Sequence, residues 1–201
     1  MVTKKKIKVG LTGSIGSGKS AFGNILEEKG YPVIKVDELS KQILVSDKKI
    51  KDLIIKEFGN RAYNGNEVNK KYLADKVFSE PSNVAKINSI VHPVVIKEVA
   101  DKIEELLKTN DIVFAEAALI YEADMEELFD YVVLVTADDK TRMRRKIERD
   151  GYTEEQFIKR DENQISDEGK KKRADFIFEN NGSLKELKNK TDLLISILKG
   201  I

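Results

Sequence analysis

A glycine-rich segment near the amino end of the chain carries the clearest chemical signal. It matches the pattern Gly-x-x-x-x-Gly-Lys-Ser, and its members are Gly13, Ser14, Ile15, Gly16, Ser17, Gly18, Lys19 and Ser20. The glycines of such a loop let backbone N–H groups converge on phosphate oxygens, and the following helix adds about half a positive charge. The lysine reaches the β- and γ-phosphates of a nucleoside triphosphate, and the serine hydroxyl ligates Mg²⁺. The motif therefore predicts triphosphate binding.

Two carboxylates follow apolar, strand-like runs and are candidates for phosphoryl-transfer chemistry. Asp37 comes directly after the run 33–36, at the sheet edge where open α/β folds place their ligands. A carboxylate beside the acceptor hydroxyl can orient or deprotonate it, so we predict Asp37 as the base; the alternative is a helix N-cap. Glu116 ends the run 112–115 and suits an acid that supports Mg²⁺ through water, with a structural ion pair as the alternative.

A basic segment lies in the second half of the chain. Its cations are Lys140, Arg142, Arg144, Arg145, Lys146 and Arg149. Such a run is usually the solvated face of a helix. Beside a triphosphate loop it also fits a lid that folds over the nucleotide and neutralises charge on the transferring group. The pattern leaves both interpretations open.

The composition excludes several classes of function. The 201 residues suffice for one globular unit with insertions, and 40% of them are hydrophobic and 35% charged. No apolar run approaches the roughly 18 residues of a membrane span, and 36 basic against 35 acidic residues give no broad field for nucleic acid. The absence of cysteine excludes disulfides and thiolate sites, and a single histidine, His92, excludes polyhistidine metal centres. We therefore expect a cytoplasmic protein without membrane or nucleic-acid partners.

Alternating strand-like and helical runs predict the scaffold that positions these residues. The strand-like runs are 7–12, 33–36, 112–118, 131–136 and 176–178. Their alternation with helical patterns predicts an α/β fold, a parallel β-sheet core flanked by helices. About seventy residues separate the second and third runs, which is too long for an ordinary connection and predicts an inserted helical subdomain. Within it, 69–79 and 84–108 carry apolar residues at helical spacing.

Several segments resemble the dephospho-coenzyme A kinase family over nearly the whole chain. The stretch 30–37 is similar to the segment that ends in the family's Asp-Ala-Asp signature, and His92-Pro93 is similar to a His-Pro pair in the family's helical insertion. Further likenesses are the segment 118–122, the lid arginines Arg145 and Arg149, the pair Arg160 and Gln164, and the segments 173–175 and 180–182. The chain departs from the family pattern at Lys35, which replaces the first aspartate, and at Ala118, which replaces a proline.

The resemblance implies a P-loop NTPase fold with a core of 1–58, 109–137 and 174–201, a helical substrate-binding subdomain at about 59–108 and a lid at about 138–173. It implies an ATP-dependent kinase that phosphorylates the ribose 3′-hydroxyl of dephospho-coenzyme A with Mg²⁺, giving coenzyme A and ADP, as a monomer or weak homo-oligomer. The implied catalytic residues are Asp37, Lys19 and Arg145. The implied ATP-binding residues are the loop itself with Ala21, Arg145, Arg149 and Asn180. The implied substrate-binding residues are Asp37, His92, Glu122 and Arg160, and the implied metal-binding residues are Ser20 and Glu116.

Two other functions stay open at this level. Another small-molecule kinase would share the loop, the insertion and the lid, and its insertion would decide the acceptor. A nucleotide switch is suggested by Asn189-Lys190-Thr191-Asp192, which copies a guanine-reading Asn-Lys-x-Asp motif. That motif interrupts a helical pattern instead of following a core strand, and the chain has no Asp-x-x-Gly. His92, amid apolar residues, is open between a packing role and substrate positioning.

Overall fold

The computed structural model describes residues 5–201, so residues 1–4 of the predicted core lie outside the described residues. Helices and strands alternate along the described part of the chain, which confirms the α/β class. Short 3₁₀ turns occupy Asn60–Ala62 and Glu126–Leu128. In chain order the other elements are β1 (Ile7–Thr12), α1 (Lys19–Glu28), β2 (Val33–Lys35), α2 (Val36–Ser46), α3 (Lys48–Phe58), β3 (Tyr63–Asn64), β4 (Glu67–Val68), α4 (Lys70–Val77), α5 (Pro81–Leu107), β5 (Ile112–Glu116), β6 (Tyr131–Thr136), α6 (Asp139–Asp150), α7 (Glu154–Asp161), α8 (Asp167–Lys171), β7 (Phe176–Glu179) and α9 (Leu184–Gly200).

The central sheet has five parallel strands in the order β2-β5-β1-β6-β7. Strand β5 is buried along its whole length, which explains its continuous apolar run, because inner parallel strands are covered on both faces. The register pairs Leu11 of β1 with Glu116 of β5, and Glu116 with Lys35 of β2. Since the strands are parallel, the carboxyl ends of β1, β2 and β5 lie at the same edge of the sheet.

Three predicted strand ends differ from the observed ones by one or two residues. Strand β2 ends at Lys35 because helix α2 begins at the next residue. Strand β5 ends at Glu116, since the chain turns after Ala117, whose N–H donates to the Leu11 carbonyl oxygen at 3.0 Å. Strand β7 continues one residue beyond the prediction, to Glu179.

A hydrophobic core packs helices α1 and α9 against the sheet. Phe22 and Leu26 of α1, Phe114 of β5 and Leu194 of α9 are all 0% exposed. The Phe22 ring lies 5.5 Å from the Phe178 ring, measured between centroids. Burial of each side chain of this size contributes about 1.5–3 kcal/mol, so the core fixes α1, and with it the loop before α1, against the sheet.

The described chain divides into two compact units. The unit that contains the sheet runs through Lys35 and then comprises Lys102–Ile201. The second unit, Val36–Asp101, contains α2, α3, α4, the antiparallel hairpin β3–β4 and most of α5. The first helices of this unit bond to the segments that follow them. Within it, the Tyr63 hydroxyl donates to the Leu44 carbonyl oxygen at 2.8 Å.

The second unit has its own buried side chains. Helix α3 buries Ile50, Ile54 and Phe58, which recur every fourth residue on one face, and helix α4 buries Leu73 and Val77. Across the residues that the structure describes, no helix combines the length and apolar composition that a membrane span requires.

Candidate active site

The phosphate loop joins β1 to α1, and Asn180 holds its backbone. The Asn180 Nδ2 atom donates to the Ser17 carbonyl oxygen at 2.9 Å, and Asn180 is buried. Gly18 has a φ of +96°, and a Cβ atom there would lie 2.1 Å from Asn180 Nδ2. Other residues are strained in this left-handed conformation and would collide with the asparagine, so the position requires glycine.

Helix α1 begins at Lys19 without a side-chain cap. In the described part of the chain, α3, α4 and α6 to α9 each donate a hydrogen bond from a first-turn N–H to a capping side chain, whereas α1 has neither such a bond nor an acid in its first turn. The first N–H groups of α1, with the partial positive charge at this helix end, are therefore available to an anion. This arrangement is typical of phosphate-binding sites.

Glu116 connects the end of β5 to the first turn of α1 and is only 5% exposed. Its Oε1 atom accepts a hydrogen bond from the Ser20 hydroxyl at 2.6 Å and another from Lys19 Nζ at 3.2 Å. Its Oε2 atom lies 3.4 Å from Lys35 Nζ. One carboxylate thus contacts both residues that are predicted to bind phosphate and metal, together with a lysine of the neighbouring strand.

Burial and charge act in opposite directions on the Glu116 carboxyl. Burial is the largest single influence and raises its pKa, but Lys19, the Ser20 hydroxyl and Lys35 together outweigh burial and hold the pKa below its ordinary value. Glu116 is therefore an ionised carboxylate at neutral pH. Next to the Ser20 hydroxyl it forms a pair of oxygen donors of the kind that Mg²⁺ prefers.

Arg145 reaches from α6 to the phosphate loop. Its Nη1 atom donates to the Ser17 carbonyl oxygen at 3.2 Å, and its Nη2 atom donates to the Asn180 carbonyl oxygen at 2.7 Å. Burial, followed by a neighbouring arginine, lowers the pKa of Arg145, and within the described residues this arginine forms no ion pair. Its charge is therefore available to an anion. Arg149, the other predicted lid arginine, is exposed and forms an ion pair with Asp150 at 2.9 Å.

Three further side chains that the sequence did not predict as site residues also hold the loop. Arg142 donates from Nη1 to the Ile15 carbonyl oxygen at 3.3 Å, and Gln164 Oε1 accepts from the Ile15 N–H at 3.0 Å. Asp167 accepts from the Ser14 hydroxyl at 2.5 Å. Arg142 belongs to the basic run and Gln164 to a segment that resembles the kinase family, but their contacts with the loop depend on tertiary structure that neither pattern contains.

Replacing Arg142 by methionine should lower the free energy of unfolding by about 2 kcal/mol. Arg142 is 4% exposed and binds Asp161 at 2.5 Å and Asp139 at 2.7 Å. Burial alone would lower its pKa, but the hydrogen bonds to these aspartates raise the pKa above its ordinary value. The loss of one partner from a fully buried pair costs about 3–5 kcal/mol, and we expect less because Asp161 is 31% exposed. Urea denaturation measures the change.

The matched control for this prediction is Arg144→Met on the same helix. Arg144 is exposed, so its replacement should change the free energy of unfolding by no more than about 0.5 kcal/mol. Equal losses in the two variants would contradict the role of the buried guanidinium.

A cavity of about 670 Å³ opens beside the loop at Ser14. Acidic side chains are frequent in its lining, among them Asp138, Asp161, Asp167 and Glu179. Negative charges of this density repel a triphosphate. The lining of this cavity therefore suits a triphosphate less well than the uncapped start of α1 does.

Comparison with known proteins identifies the family. The family model described as dephospho-CoA kinase matches residues 7–186. The chain belongs to the dephospho-coenzyme A kinase family. A dephospho-CoA kinase of Fusobacterium nucleatum is 36% identical over 190 residues, which cover 92% of this chain and 94% of the relative.

Solved structures agree with this membership in the dephospho-coenzyme A kinase family. A Thermus thermophilus protein of known crystal structure has a TM-score of 0.84 and 31% identity, covering 97% of this chain and 99% of its own. The dephospho-CoA kinase from Campylobacter jejuni has a TM-score of 0.73 and 25% identity, covering 96% of this chain and 97% of its own. The family is one of ATP-dependent P-loop kinases whose function is the last step of coenzyme A biosynthesis. The family, fold and enzyme class predicted from the sequence are confirmed.

In this member of the dephospho-coenzyme A kinase family, the structure brings several predicted site residues together at the loop. The group consists of Lys19, Ser20, Glu116, Arg145 and Asn180. Ala21 follows Ser20 in the first turn of α1. These residues come from β5, α1, α6 and the segment after β7, so the fold assembles them from distant parts of the sequence.

Two predicted substrate-binding residues belong to the second unit. Asp37 is exposed and lies within the first turn of α2, which begins at Val36, so it is not the N-cap of that helix. His92 lies half-buried in α5, directly before Pro93. Their roles in substrate binding stay predictions.

The other two predicted substrate-binding residues contact their own surroundings in the first unit. Glu122 Oε1 accepts from the Ile165 N–H at 2.8 Å and lies 3.4 Å from Nζ of Lys170, a lysine that is 0% exposed. Arg160 is exposed, donates to the Tyr152 hydroxyl and lies 4.9 Å above that ring. Substrate binding by Glu122 and Arg160 also stays a prediction.

The guanine-like motif lies inside helix α9. Its Thr191 is buried and donates to the Leu187 carbonyl oxygen at 2.9 Å, and its Asp192 forms an ion pair with Lys29 at 2.6 Å. These residues pack α9 against its neighbours, and a guanine-reading motif requires a loop after a core strand. The contacts therefore favour a structural role for the motif.

Proposed function

We propose that this chain transfers the γ-phosphoryl group of ATP to the ribose 3′-hydroxyl of dephospho-coenzyme A through the loop, Lys19, Ser20, Asp37 and Arg145. The observation that carries this assignment is the uncapped start of α1, with Lys19 and Ser20 both bonded to the buried Glu116 and with Arg145 held against the same loop. Amide groups, a lysine and an unpaired arginine around one point form a strong binding site for a triphosphate.

The proposed reaction is an in-line displacement at the γ-phosphorus. A lone pair of the 3′-oxygen forms the new P–O bond, the bond from the γ-phosphorus to the β–γ bridging oxygen breaks, and its electron pair leaves with ADP. Asp37 orients the acceptor hydroxyl and takes its proton. Lys19 and Arg145 balance the negative charge on the oxygens of the transferring group.

Mg²⁺ is the metal that the donor set fits. The Ser20 hydroxyl and the Glu116 carboxylate are oxygen donors whose nearest atoms lie 2.6 Å apart, and kinase sites hold Mg²⁺ by one or two protein ligands together with phosphate oxygens and water. In this proposal Ser20 would ligate the ion and Glu116 would support it through water. When bound, Mg²⁺ neutralises charge on the phosphate oxygens.

An acceptor assay tests the assignment. The purified chain receives MgATP with dephospho-coenzyme A, AMP, CMP or shikimate in separate reactions, and ADP release is measured. We expect release with dephospho-coenzyme A well above that with the other acceptors, and a product phosphorylated on the 3′-oxygen. A response only to a nucleoside monophosphate or to shikimate would reject the acceptor and favour another small-molecule kinase.

Three further parts of the proposal await their own measurements. The unit Val36–Asp101 is proposed to bind the coenzyme A substrate through His92, and the segment 138–173 is proposed to act as the lid through Arg145 and Arg149. A cytoplasmic location and a monomeric or weakly associating state also stay predictions. Sedimentation at several protein concentrations measures the state of association.

A further inference from the structure

Lys35 and Glu116 are direct neighbours across two strands. They are partners in the register of β2 and β5, so both side chains project from the same face of the sheet. The two carboxylate oxygens of Glu116 have different partners. Oε1 bonds to Ser20 and Lys19 of the phosphate loop, whereas Oε2 has no hydrogen bond within the described residues and has Lys35 Nζ at 3.4 Å. The carboxylate therefore has one cation on each side.

Helix α1 packs closely against Lys35 and Glu116. A Cβ atom at Gly23 would lie 2.8 Å from Glu116 Oε2 and 3.6 Å from Lys35 Nζ, so a side chain here would displace the Glu116 carboxylate. Glycine is unfavourable inside a helix, and the close approach of the carboxylate favours it at this position. Two residues of α1 hold the lysine in turn: Asn24 Oδ1 accepts from Nζ at 2.7 Å, and Glu27 Oε2 lies 3.1 Å from it.

Nucleotide binding changes the partners of the Glu116 carboxylate. In the proposed function, Lys19 and Ser20 turn from Glu116 to the phosphates and the metal, which removes both partners of Oε1. A carboxylate that is 5% exposed is strongly destabilised when no cation remains beside it. Lys35 is not part of the loop, and its bonds to Asn24 and Glu27 are independent of the nucleotide.

We propose that Lys35 is a positioning residue: its ammonium group remains beside Glu116 as a counter-charge when Lys19 turns to the phosphates. The inference rests on the proposed role of Lys19 in binding ATP. With Lys35 in place, the release of Lys19 does not leave a buried charge uncompensated, so ATP binds more tightly. Without Lys35, Glu116 retains Lys19 and opposes the nucleotide.

A double-mutant cycle between Lys35 and Glu116 tests this inference with metal-free ATP in EDTA, measured by titration calorimetry. In the wild-type background, Lys35→Met should raise the Kd for ATP about tenfold, because binding then strands the carboxylate. In the Glu116→Gln background the same change should leave the Kd unaltered, because no charge is stranded. Glu116→Gln alone should bind ATP at least as tightly as the wild type, since Lys19 is free. Lys35→Arg should retain most of the affinity, because it retains the cation.

Each other outcome overturns the inference. An equal rise of Kd in both backgrounds would mean that Lys35 attracts ATP directly, and an unchanged Kd in Lys35→Met would mean that it only packs the sheet. If Lys35→Met does not fold, Lys35→Gln replaces it, since its amide can still bond to Asn24 but carries no charge. The proposed function is tested separately by turnover of dephospho-coenzyme A with MgATP in the wild type, so its failure is distinct from a failure of the cycle.

Discussion

Replacing Arg145 by alanine is expected to lower the turnover number about 10³-fold, the scale of the effect of an arginine that stabilises a transferring phosphoryl group. The contacts of Arg145 distinguish it from the other arginines of its helix. Arg142 is neutralised by aspartates and Arg149 by Asp150, whereas Arg145 bonds only to carbonyl oxygens of Gly16, Ser17 and Asn180. A cation whose partners are neutral can turn to a phosphate without leaving a carboxylate uncompensated. Steady-state kinetics with saturating MgATP and dephospho-coenzyme A measures the loss.

A loosened phosphate loop is the alternative explanation for a loss of turnover in Arg145→Ala, because the Arg145 guanidinium also binds carbonyl oxygens of the loop. If transition-state stabilisation dominates, the Kd for ATP should rise by no more than about tenfold while turnover falls about 10³-fold, since only the transition state needs the full charge. Arg144→Ala is the control, because Arg144 is exposed on the same helix. A loss of ATP affinity as large as the loss of turnover would assign Arg145 to the loop structure alone.

The phosphate loop and the strands of the sheet could be predicted because their signals are local. The loop pattern contains its own glycines, lysine and serine, and the inner strands of a parallel sheet are mostly apolar, as Val132–Val135 illustrates. Helix α3 was missed, although it buries Ile50, Ile54 and Phe58 at helical spacing, because its remaining positions are rich in lysine. The two-residue strands β3 and β4 are too short for a periodic pattern.

The partners of Glu116 could not be predicted from the sequence. Its pattern allowed support of Mg²⁺ or a structural ion pair, and the structure shows that the carboxylate contacts Lys19, Ser20 and Lys35 at once. In the sequence, Lys35 is distinguished only because it replaces the first aspartate of the family's signature. Its contact with Glu116 follows from the register of β2 against β5. That register is set by packing between residues far apart in sequence, so a sequence pattern does not predict it.

The same limit applies to the residues that hold the loop from the segment 138–173. Gln164 and Asp167 lie far from Ile15 and Ser14 in sequence but bond to them in the structure. A polar residue in a charged segment is typical of any solvated surface, so only the fold distinguishes these two from their neighbours. These contacts join side chains of one segment to the phosphate loop. They form only when the fold has placed α7 and α8 beside that loop.

Asp37→Asn is expected to lower turnover by roughly 10³-fold while the Kd for ATP stays within about twofold of the wild type. Asparagine preserves the size of the side chain and its hydrogen bonds but cannot accept the proton of the 3′-hydroxyl. Asp37 is exposed and follows β2 by two residues, in the first turn of α2, where a carboxylate is favoured by the partial positive charge of the helix end. Presteady-state quench experiments with MgATP and dephospho-coenzyme A measure the chemical step directly.

Glu38→Gln is the matched control for Asp37→Asn, because Glu38 is the adjacent carboxylate of the same helix turn and is also exposed. If the acidic residues in the first turn of α2 merely stabilise the helix, the two variants should lose similar, small amounts of stability and of activity. If Asp37 is the base, only Asp37→Asn should slow phosphoryl transfer. The thermal unfolding of Asp37→Asn should then match that of Glu38→Gln. Turnover in Asp37→Asn within about threefold of the wild type would remove Asp37 from this role, because proton abstraction by a positioned group contributes at least about 10²-fold.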